Sequence, residues 1–281
     1  MLGPILIVIG IALAVMVFAA VSMSLDVSIG DGWRKATDQE RTARRWRPPF
    51  GSESDLYDWA RSKATRIVGR AMAKGPTVET PSEVVAELHK GATRAMLPTA
   101  RDHERARTVA CPEDGQGIIN ISAVEAIGLA SYLRQNLPAE EVDRIHDLSV
   151  RNARQLAAHG AFRPMESPCS LQGDGCMCLA YSARPLRCRP LHAAILADRL
   201  GVETLSDEGG PSSWAAHADA VRQGLDDGLT SALADAGLDA KLYELHGALA
   251  TALQGHDVAA RWLDGEDVFG ESLAPVAIES R

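Results

Sequence analysis

The chain has 281 residues, enough for one domain of ordinary size with appendages, and 23% of them are charged, a normal fraction for a soluble body. Its 37 acidic side chains outnumber the 29 basic ones and leave a formal net charge of -8. Basic residues are clustered only at positions 34–47 and 184–189 and are dispersed elsewhere. Because the body is acidic, we expect no binding to nucleic acid.

The N-terminus is the first distinctive segment. No charged side chain occurs in residues 2–25, and residues 5–23 are almost entirely apolar. At about 1.5 Å per residue, such a run is long enough to cross ~30 Å of hydrocarbon as one helix. A cleaved signal peptide is the competing interpretation, but the segment lacks the basic start that is typical of signals. We expect residues 1–25 to form a transmembrane anchor, with the span at residues 5–23.

The residues after the apolar run predict the orientation. Residues 26–53 contain glycines and prolines that break any periodic pattern, so we interpret them as a tether next to the membrane. Positive charges collect on the cytoplasmic side of a span, and we therefore expect a single-pass protein of the inner (cytoplasmic) membrane with a cytoplasmic body. The basic residues that support this orientation are Arg34, Lys35, Arg41, Arg44, Arg45 and Arg47.

Residues 54–98 are predicted to form a pair of helices. The first should end at Gly75, because glycine readily adopts the left-handed conformation that ends many helices. The second opens with Thr80, Pro81 and Glu83, which suit the N-cap, N1 and N3 positions. The apolar residues at helical spacing are Leu56, Trp59, Ala60, Ala64, Ile67 and Ala71 in the first helix, and Val84, Val85, Leu88, Ala92 and Met96 in the second.

Residues 99–268 are predicted to form a further helical domain. A capping box at Ser122 and Glu125 opens one helix, and Pro138 begins another that ends at Gly160. We expect these two helices to pack as an antiparallel pair and to bring the regions before and after them to the same end.

Two more helices follow a polar connection. Trp214, Ala218, Val221, Leu225, Leu229 and Leu233 mark the first, and Leu242, Leu245, Leu249 and Leu253 mark the second. Gly224 and Gly228 either weaken the first of these helices or allow a neighbour to approach closely. No strand-like alternation of useful length appears, so we predict an all-α fold, and residues 269–281 are expected to be a loose tail.

Cysteine is concentrated in one stretch of this domain. Four of the five cysteines fall in residues 169–188, among glycines and prolines that favour a folded-back loop. Thiolates are soft ligands that select zinc, copper(I) or iron-sulfur clusters. In a reducing cytosol such a cluster is more often a metal site or a redox pair than a disulfide framework. The candidate ligands are Cys111, Cys169, Cys176, Cys178 and Cys188, with His192 in reserve.

The spacing of this stretch also carries a resemblance. The run Cys178-Leu-Ala-Tyr181-Ser-Ala-Arg184-Pro185-Leu-Arg-Cys188-Arg189, with Cys169 and Leu171 before it, resembles the signature of the YkgJ-like cysteine-cluster family. The resemblance implies a zinc- or iron-chelating domain over roughly residues 100–265, with Tyr181, Arg184, Pro185 and Arg189 beside the metal centre. The guanidinium groups of Arg184, Arg187 and Arg189 would offset the negative charge of thiolates around an ion.

The chain departs from the family pattern in two places. Leu171 follows Cys169 one position early, and the dense cysteine run that relatives carry upstream is reduced to Cys111. Cys176, which the signature does not require, offers a replacement ligand. The resemblance therefore implies zinc or iron, including an iron-sulfur cluster, and leaves the ligand set to be chosen from the five cysteines and His192.

Familiar enzyme signatures are missing from the sequence. It has no Gly-x-Gly-x-x-Gly after a strand, no phosphate loop, no Gly-x-Ser-x-Gly and no His-Glu-x-x-His. We therefore predict a membrane-anchored protein whose helical domain carries a cysteine-rich metal-binding loop. Two alternatives stay open, namely a metal-dependent or redox enzyme that uses the same cysteines and an exported domain stapled by disulfides.

Overall fold

A computed structural model of the chain describes residues 52–96, 119–159, 168–190, 193 and 213–272. This part is mainly helical, which confirms the predicted all-α class at that level. Short 3-10 turns and a pair of three-residue strands complete it. The helices and strands are α1 (Glu53–Ala73), α2 (Thr80–Met96), β1 (Asn120–Ser122), α3 (Ala123–Asn136), α4 (Ala139–His159), α5 (Ser213–Asp235), β2 (Leu242–Glu244), α6 (Leu245–Gln254) and α7 (Val258–Leu263).

Helices α1 and α5 pack along each other at very short range. A Cβ atom added to Gly224 would lie 2.3 Å from the carbonyl oxygen of Tyr57, and one added to Gly228 would lie 2.3 Å from that of Arg61. Ala60 and Ala64 face the two glycines from α1. The glycines therefore serve the close approach of a neighbouring helix, one of the two roles predicted for them.

Helix α2 joins the first pair of helices to the rest of the core. It packs against α1, α3 and α5, so residues 54–96 belong to the same hydrophobic core as the later helices. Helix α1 ends as predicted, with Gly75 at φ 82. Thr80 does not cap α2, because the amide of Glu83 already donates to the Glu79 carbonyl and the Thr80 hydroxyl accepts from the Thr77 amide. The predicted apolar face is buried at Val84, Val85, Leu88, Ala92 and Met96.

Helices α3 and α4 differ from the predicted antiparallel pair. The capping box of Ser122 and Glu125 forms at the start of α3 as predicted. However, α3 packs against α2 and α6, α4 packs against α6, and α3 and α4 touch each other only slightly. The cause lies in the connection, because Leu137 adopts an extended backbone conformation (φ -120, ψ 153) before Pro138 and directs α4 away from α3.

The strands were not predicted. β1 and β2 pair antiparallel, with Ile121 opposite Tyr243. Three residues are too few to show the alternation of apolar and polar side chains that predicts a strand, so the sequence did not indicate this pairing. Leu242 consequently lies in a strand, and α6 begins only at Leu245, where the Glu244 carboxylate accepts hydrogen bonds from the amides of His246 and Gly247.

The C-terminal part of the described chain closes the core. Trp262 of α7 is fully buried, and the Phe269 ring packs on Tyr243 with 5.3 Å between ring centroids. Phe269 is the first residue of the predicted loose tail, yet it is fully buried. The packed body therefore extends through the turn at Gly270–Ser272.

The predicted anchor and tether lie outside the described residues. Within residues 52–96, 119–159, 168–190, 193 and 213–272, no helix is both long and apolar enough to cross a membrane. The cysteine-bearing residues 168–190, here named the cysteine loop, are described and lie on the core formed by α3, α5 and α6.

Candidate metal site at the cysteine loop

The first half of the cysteine loop is a small hairpin. The amide of Gly173 donates to the Met177 carbonyl (2.8 Å), and the amide of Leu179 donates to the Leu171 carbonyl (2.8 Å). Gly175 at the tip has φ 65, a left-handed conformation that glycine adopts without steric cost. The hairpin explains why glycines surround the cysteines in the sequence.

Each of the three described cysteines lies at the corner of a tight turn. The carbonyl of Cys169 accepts from the Gln172 amide (2.9 Å), that of Cys178 accepts from the Tyr181 amide (3.2 Å), and the amide of Cys188 donates to the Pro185 carbonyl (3.0 Å). Cys169 and Cys178 are half-buried, whereas Cys188 is buried. No disulfide joins these three residues.

Two buried side chains fix the start of the loop. The Asn152 side-chain amide of α4 donates to the Pro168 carbonyl (2.9 Å). The Ser170 hydroxyl lies 3.0 Å from Nδ1 of His246 in α6, and both side chains are buried. Burial lowers the pKa of His246 to about 4, so its ring is neutral at physiological pH and suits this hydrogen bond. The residues on either side of Cys169 are thus held by two helices.

Two buried carboxylates fix the end of the loop. Oε1 of Glu125 accepts from the Leu186 amide at 2.9 Å, while Oε2 completes the capping box of α3. The next residue, Arg187, lies 3.3 Å from Oδ2 of Asp226 in α5. Leu186, Arg187 and Cys188 form one 3-10 turn, so the position of Cys188 is set by bonds to α3 and α5.

The carboxylate of Asp226 lies in an unusual electrostatic environment. Arg222 contacts it at 2.9 Å and Arg187 at 3.3 Å, both of which favour its ionised form. Burial and the nearby Glu125 charge act in the opposite direction, and together they raise the pKa of Asp226 to about 7. The end of the loop is therefore attached to a group that titrates near physiological pH.

The four residues that the family resemblance placed beside the metal all lie in the second half of the loop. Arg184 is buried and its guanidinium stacks over the Tyr181 ring at 4.3 Å. Pro185, also buried, provides the carbonyl that Cys188 contacts. Arg189 donates to the carbonyls of Arg184 (3.0 Å) and Ser182 (3.2 Å) and to the Thr93 hydroxyl (2.8 Å). These contacts shape the turn that carries Cys188.

The structure describes three of the six predicted ligand side chains, those of Cys169, Cys178 and Cys188. Cys111 and His192 lie outside the described residues, as does the side chain of Cys176. Thiols at Cys169, Cys178 and Cys188 have the chemistry that zinc and iron prefer. Among the residues that the structure describes, however, no three histidine, cysteine or acidic side chains come together closely enough to hold a metal ion. Any metal at this loop therefore needs a ligand from outside the described set.

Sequence reasoning missed the side chains that hold the loop. Glu125 was recognised as a capping residue, but nothing in the sequence indicated that its second oxygen would bind the Leu186 amide. Asp226 and His246 lie on helices among residues of ordinary type, and their partners are far away in the chain. Their one common signal, a polar residue on an otherwise apolar helix face, is weak.

Comparisons with known proteins add no identification. Neither the models of known protein families, nor the well-characterised proteins, nor the solved structures contain a match to this chain.

Proposed function

We propose that this chain is a membrane-anchored protein whose cysteine loop binds zinc or iron, the latter as an ion or an iron-sulfur centre. The observation that carries the proposal is the placement of Cys169, Cys178 and Cys188 at three tight turns of one short loop. Turns reverse the chain within a few residues, so cysteines that are distant in the loop can be directed toward one ion. The anchor would be residues 5–23, with the helical body in the cytoplasm.

The ligands would come from both described and undescribed residues. Cys169, Cys178 and Cys188 do not meet as a group of three in the structure, so binding would either draw them together or use two of them with ligands from Cys111, Cys176 and His192. A bound ion with four protein ligands would stabilise the loop, whereas one that keeps a water would act as a Lewis acid. The first role fits the loop better, because the polar contacts that hold it to α3, α4, α5 and α6 are single hydrogen bonds and one ion pair, which a bound ion would reinforce.

The neighbouring charges also favour bound thiolates. Arg189 follows Cys188 directly. Burial and the Arg184 charge lower the pKa of Arg189 to about 10, while Tyr181, Cys188 and Glu125 act in the opposite direction. A cation next to a thiol favours its deprotonated form, which is the form that binds metal. Arg189 is held in place by three hydrogen bonds and can therefore exert this effect from a constant position.

The test is metal analysis of the full-length chain, extracted with detergent from the membrane fraction without oxygen. We expect stoichiometric zinc or iron by elemental analysis, and an absorption spectrum that separates colourless zinc from an iron-sulfur cluster. Cys178→Ser and Cys188→Ser should each lose most of the metal and unfold at lower temperature, because a bound metal stabilises only the folded state.

Met177→Ser is the matched control. Met177 lies in the same hairpin and is 45% exposed, so this variant places the same new side chain next to the proposed ligands without removing a thiol. It should keep the metal content of the wild type. A chain without stoichiometric metal, or cysteine variants that keep their metal, would refute the proposed site. Recovery of the chain in the soluble fraction without detergent would refute the anchor.

A further inference from the structure

A groove with a basic rim lies between α2 and α3, beside the second half of the cysteine loop. Its volume is about 720 Å³, within the range of small-molecule sites. Successive turns of α2 form one wall, and α3 forms the other with Tyr132. The turn Tyr181–Ala183 and Arg189 close one end. The groove shares Tyr181 and Arg189 with the residues that the resemblance places beside the metal, but its remaining lining residues have no part in the metal proposal.

The charge of the groove is opposite to that of the whole protein. Lys90, Arg94 and Arg189 line it, and no acidic residue does among those that the structure describes there. Lys90 also contacts Glu87 at 3.4 Å, but this pair is exposed on both sides and contributes little. Lys90 and Arg94 are four positions apart on one helix and so project side by side. In a chain of net charge -8 this is a local site for anions.

The second observation is His89, which lines the groove and is only 4% exposed. Neither of its ring nitrogens has a hydrogen bond of good geometry among the described residues, and the Ser182 backbone provides only a weak one. Burial, together with Arg189 and Arg184, lowers the pKa of His89 well below its usual value, although the Ser182 backbone opposes this shift. The ring is therefore neutral and carries one N–H donor. Buried polar groups are almost always paired, so an imidazole with one weak backbone partner in a groove wall is suited to a further hydrogen bond with a ligand.

Arg189 has guanidinium N–H groups that can donate hydrogen bonds to such a ligand. Its Nε, one N–H of Nη1 and one N–H of Nη2 are used in the contacts to Arg184, Thr93 and Ser182. A guanidinium has five N–H groups, so two remain in a fork that these bonds hold in place. The Thr93 hydroxyl accepts from Arg189 and keeps its own proton to donate.

We propose that this groove binds a small phosphate monoester, with Lys90, Arg94 and Arg189 on the phosphate, His89 donating to one of its oxygens, and the organic group against Tyr132. Three cations and two neutral donors match a dianion with three terminal oxygens. A carboxylate would leave donors unpaired. The monoester is either a soluble metabolite or the headgroup of phosphatidic acid, both of which present the same chemical group.

Calorimetry on the full-length chain in detergent tests the proposal with three probes. Phenyl phosphate should bind in the micromolar to low millimolar range, and benzoate of similar size at least about tenfold more weakly. The third probe is phosphatidic acid in mixed micelles, measured against phosphatidylcholine alone. Tighter binding of phenyl phosphate than of phosphatidic acid identifies a soluble ligand, and the reverse order identifies a lipid headgroup.

The variant Lys90→Gln/Arg94→Gln removes two exposed charges of the groove and should weaken binding of phenyl phosphate by about tenfold or more. The matched control, Arg66→Gln/Arg70→Gln, removes two exposed charges at the same spacing from α1, outside the groove, and should change binding less than about twofold.

A titration with phenyl phosphate that does not saturate below about 10 mM would overturn the proposal. Equal weakening in both double variants, or equal binding of benzoate, would also overturn it. Metal content should be unchanged in both variants, which separates this result from the proposed metal site.

Discussion

The contact of α1 with α5 and the cysteine loop are two regions built by opposite means. Between α1 and α5 the side chains are reduced to glycine and alanine, so that backbone lies almost directly on helix surface. In the cysteine loop the start and the end are attached to the core by buried polar side chains, including Glu125, Asp226 and His246. The packing of α1 on α5 depends on complementary shape, whereas the cysteine loop depends on hydrogen bonds and an ion pair.

The difference determines how each region should respond to change. A region fitted by shape is sensitive to added volume, and we expect it to respond little to pH, because its buried centre is glycine and alanine and the Tyr57–Asp227 hydrogen bond is exposed. A region fitted by pairing is sensitive to the loss of one partner, since the other is then left buried and unsatisfied. It is also sensitive to pH wherever the partner titrates. Each expectation can be tested with one set of variants.

The largest effect is expected from adding volume between the helices. In Gly224→Ala/Gly228→Ala each new methyl group would lie 2.3 Å from a carbonyl oxygen, which the backbone cannot relieve by a side-chain rotation. Each change should lower the free energy of unfolding by about 1–3 kcal/mol. Thermal and denaturant unfolding followed by circular dichroism measure the loss.

The control for this prediction is Gly69→Ala in α1. Gly69 is exposed and a Cβ there meets nothing within 4 Å, so alanine should stabilise the helix by about 0.5–1 kcal/mol. A double variant as stable as the wild type would mean that the helices have room to separate, and the contrast with the loop would disappear.

Removal of a loop partner should have the next largest effect. Glu125→Ala leaves the Leu186 amide and the Ser122 amide without their acceptor, at a cost of about 2–4 kcal/mol for two buried donors. Hydrogen exchange should also become faster at the Leu186 amide than at amides of α1. Glu87→Ala, which removes an exposed glutamate of α2, should stay within about 0.5 kcal/mol of the wild type. Unchanged exchange at Leu186 would show that the loop does not depend on this bond.

The smallest effect is a pH dependence assigned to Asp226. Its pKa is about 7 in the folded chain against 3.8 for the unperturbed group, so the folded state binds more protons than the unfolded state between these values. Stability should therefore fall as pH rises from about 4 to about 7, by up to ~1.4 kcal/mol per pH unit. Asp226→Asn should flatten this slope in unfolding measured at a series of pH values.

Asp227→Asn is the neighbouring control. Asp227 is exposed and accepts a hydrogen bond from the Tyr57 hydroxyl at 2.7 Å, which the side-chain oxygen of asparagine can also accept. This variant should stay within about 0.5 kcal/mol of the wild type and leave the slope assigned to Asp226 in place. If stability instead rises with pH in the wild type and Asp226→Asn removes that rise, Arg187 and Arg222 hold Asp226 ionised, and the sign given above is wrong.

The same contrast explains what the sequence predicted. Helix faces and the capping box at Ser122 were read correctly because the information lies within a few residues, as apolar spacing or as a Ser-x-x-Glu pattern. The contact of α1 with α5 was indicated only by its glycines. The strand at Leu242 and the partners of the loop were not predictable, because they join residues distant in the chain and depend on which oxygen or amide remains unpaired after the helices pack.

The arginines of the loop show the limit most clearly. The residue types led to the expectation that Arg184, Arg187 and Arg189 would offset thiolate charge. In the structure Arg187 pairs with Asp226, and Arg184 stacks on Tyr181. Arg189 connects the loop to Thr93 of α2. Spacing identified the right segment, but a guanidinium has many possible acceptors and the three-dimensional packing chooses among them.

The packing of α1 against α5 also affects how the chain is made. Tyr57 and Asp227, which are hydrogen-bonded across the two helices, are 170 positions apart. At 5–20 residues per second their synthesis is separated by about 10 to 30 s, during which the alanine face of α1 has no partner on the nascent chain. This interval is long on the time scale of hydrophobic collapse. The newly made N-terminal half must therefore be kept from associating with other apolar surfaces until the last third of the chain has left the ribosome.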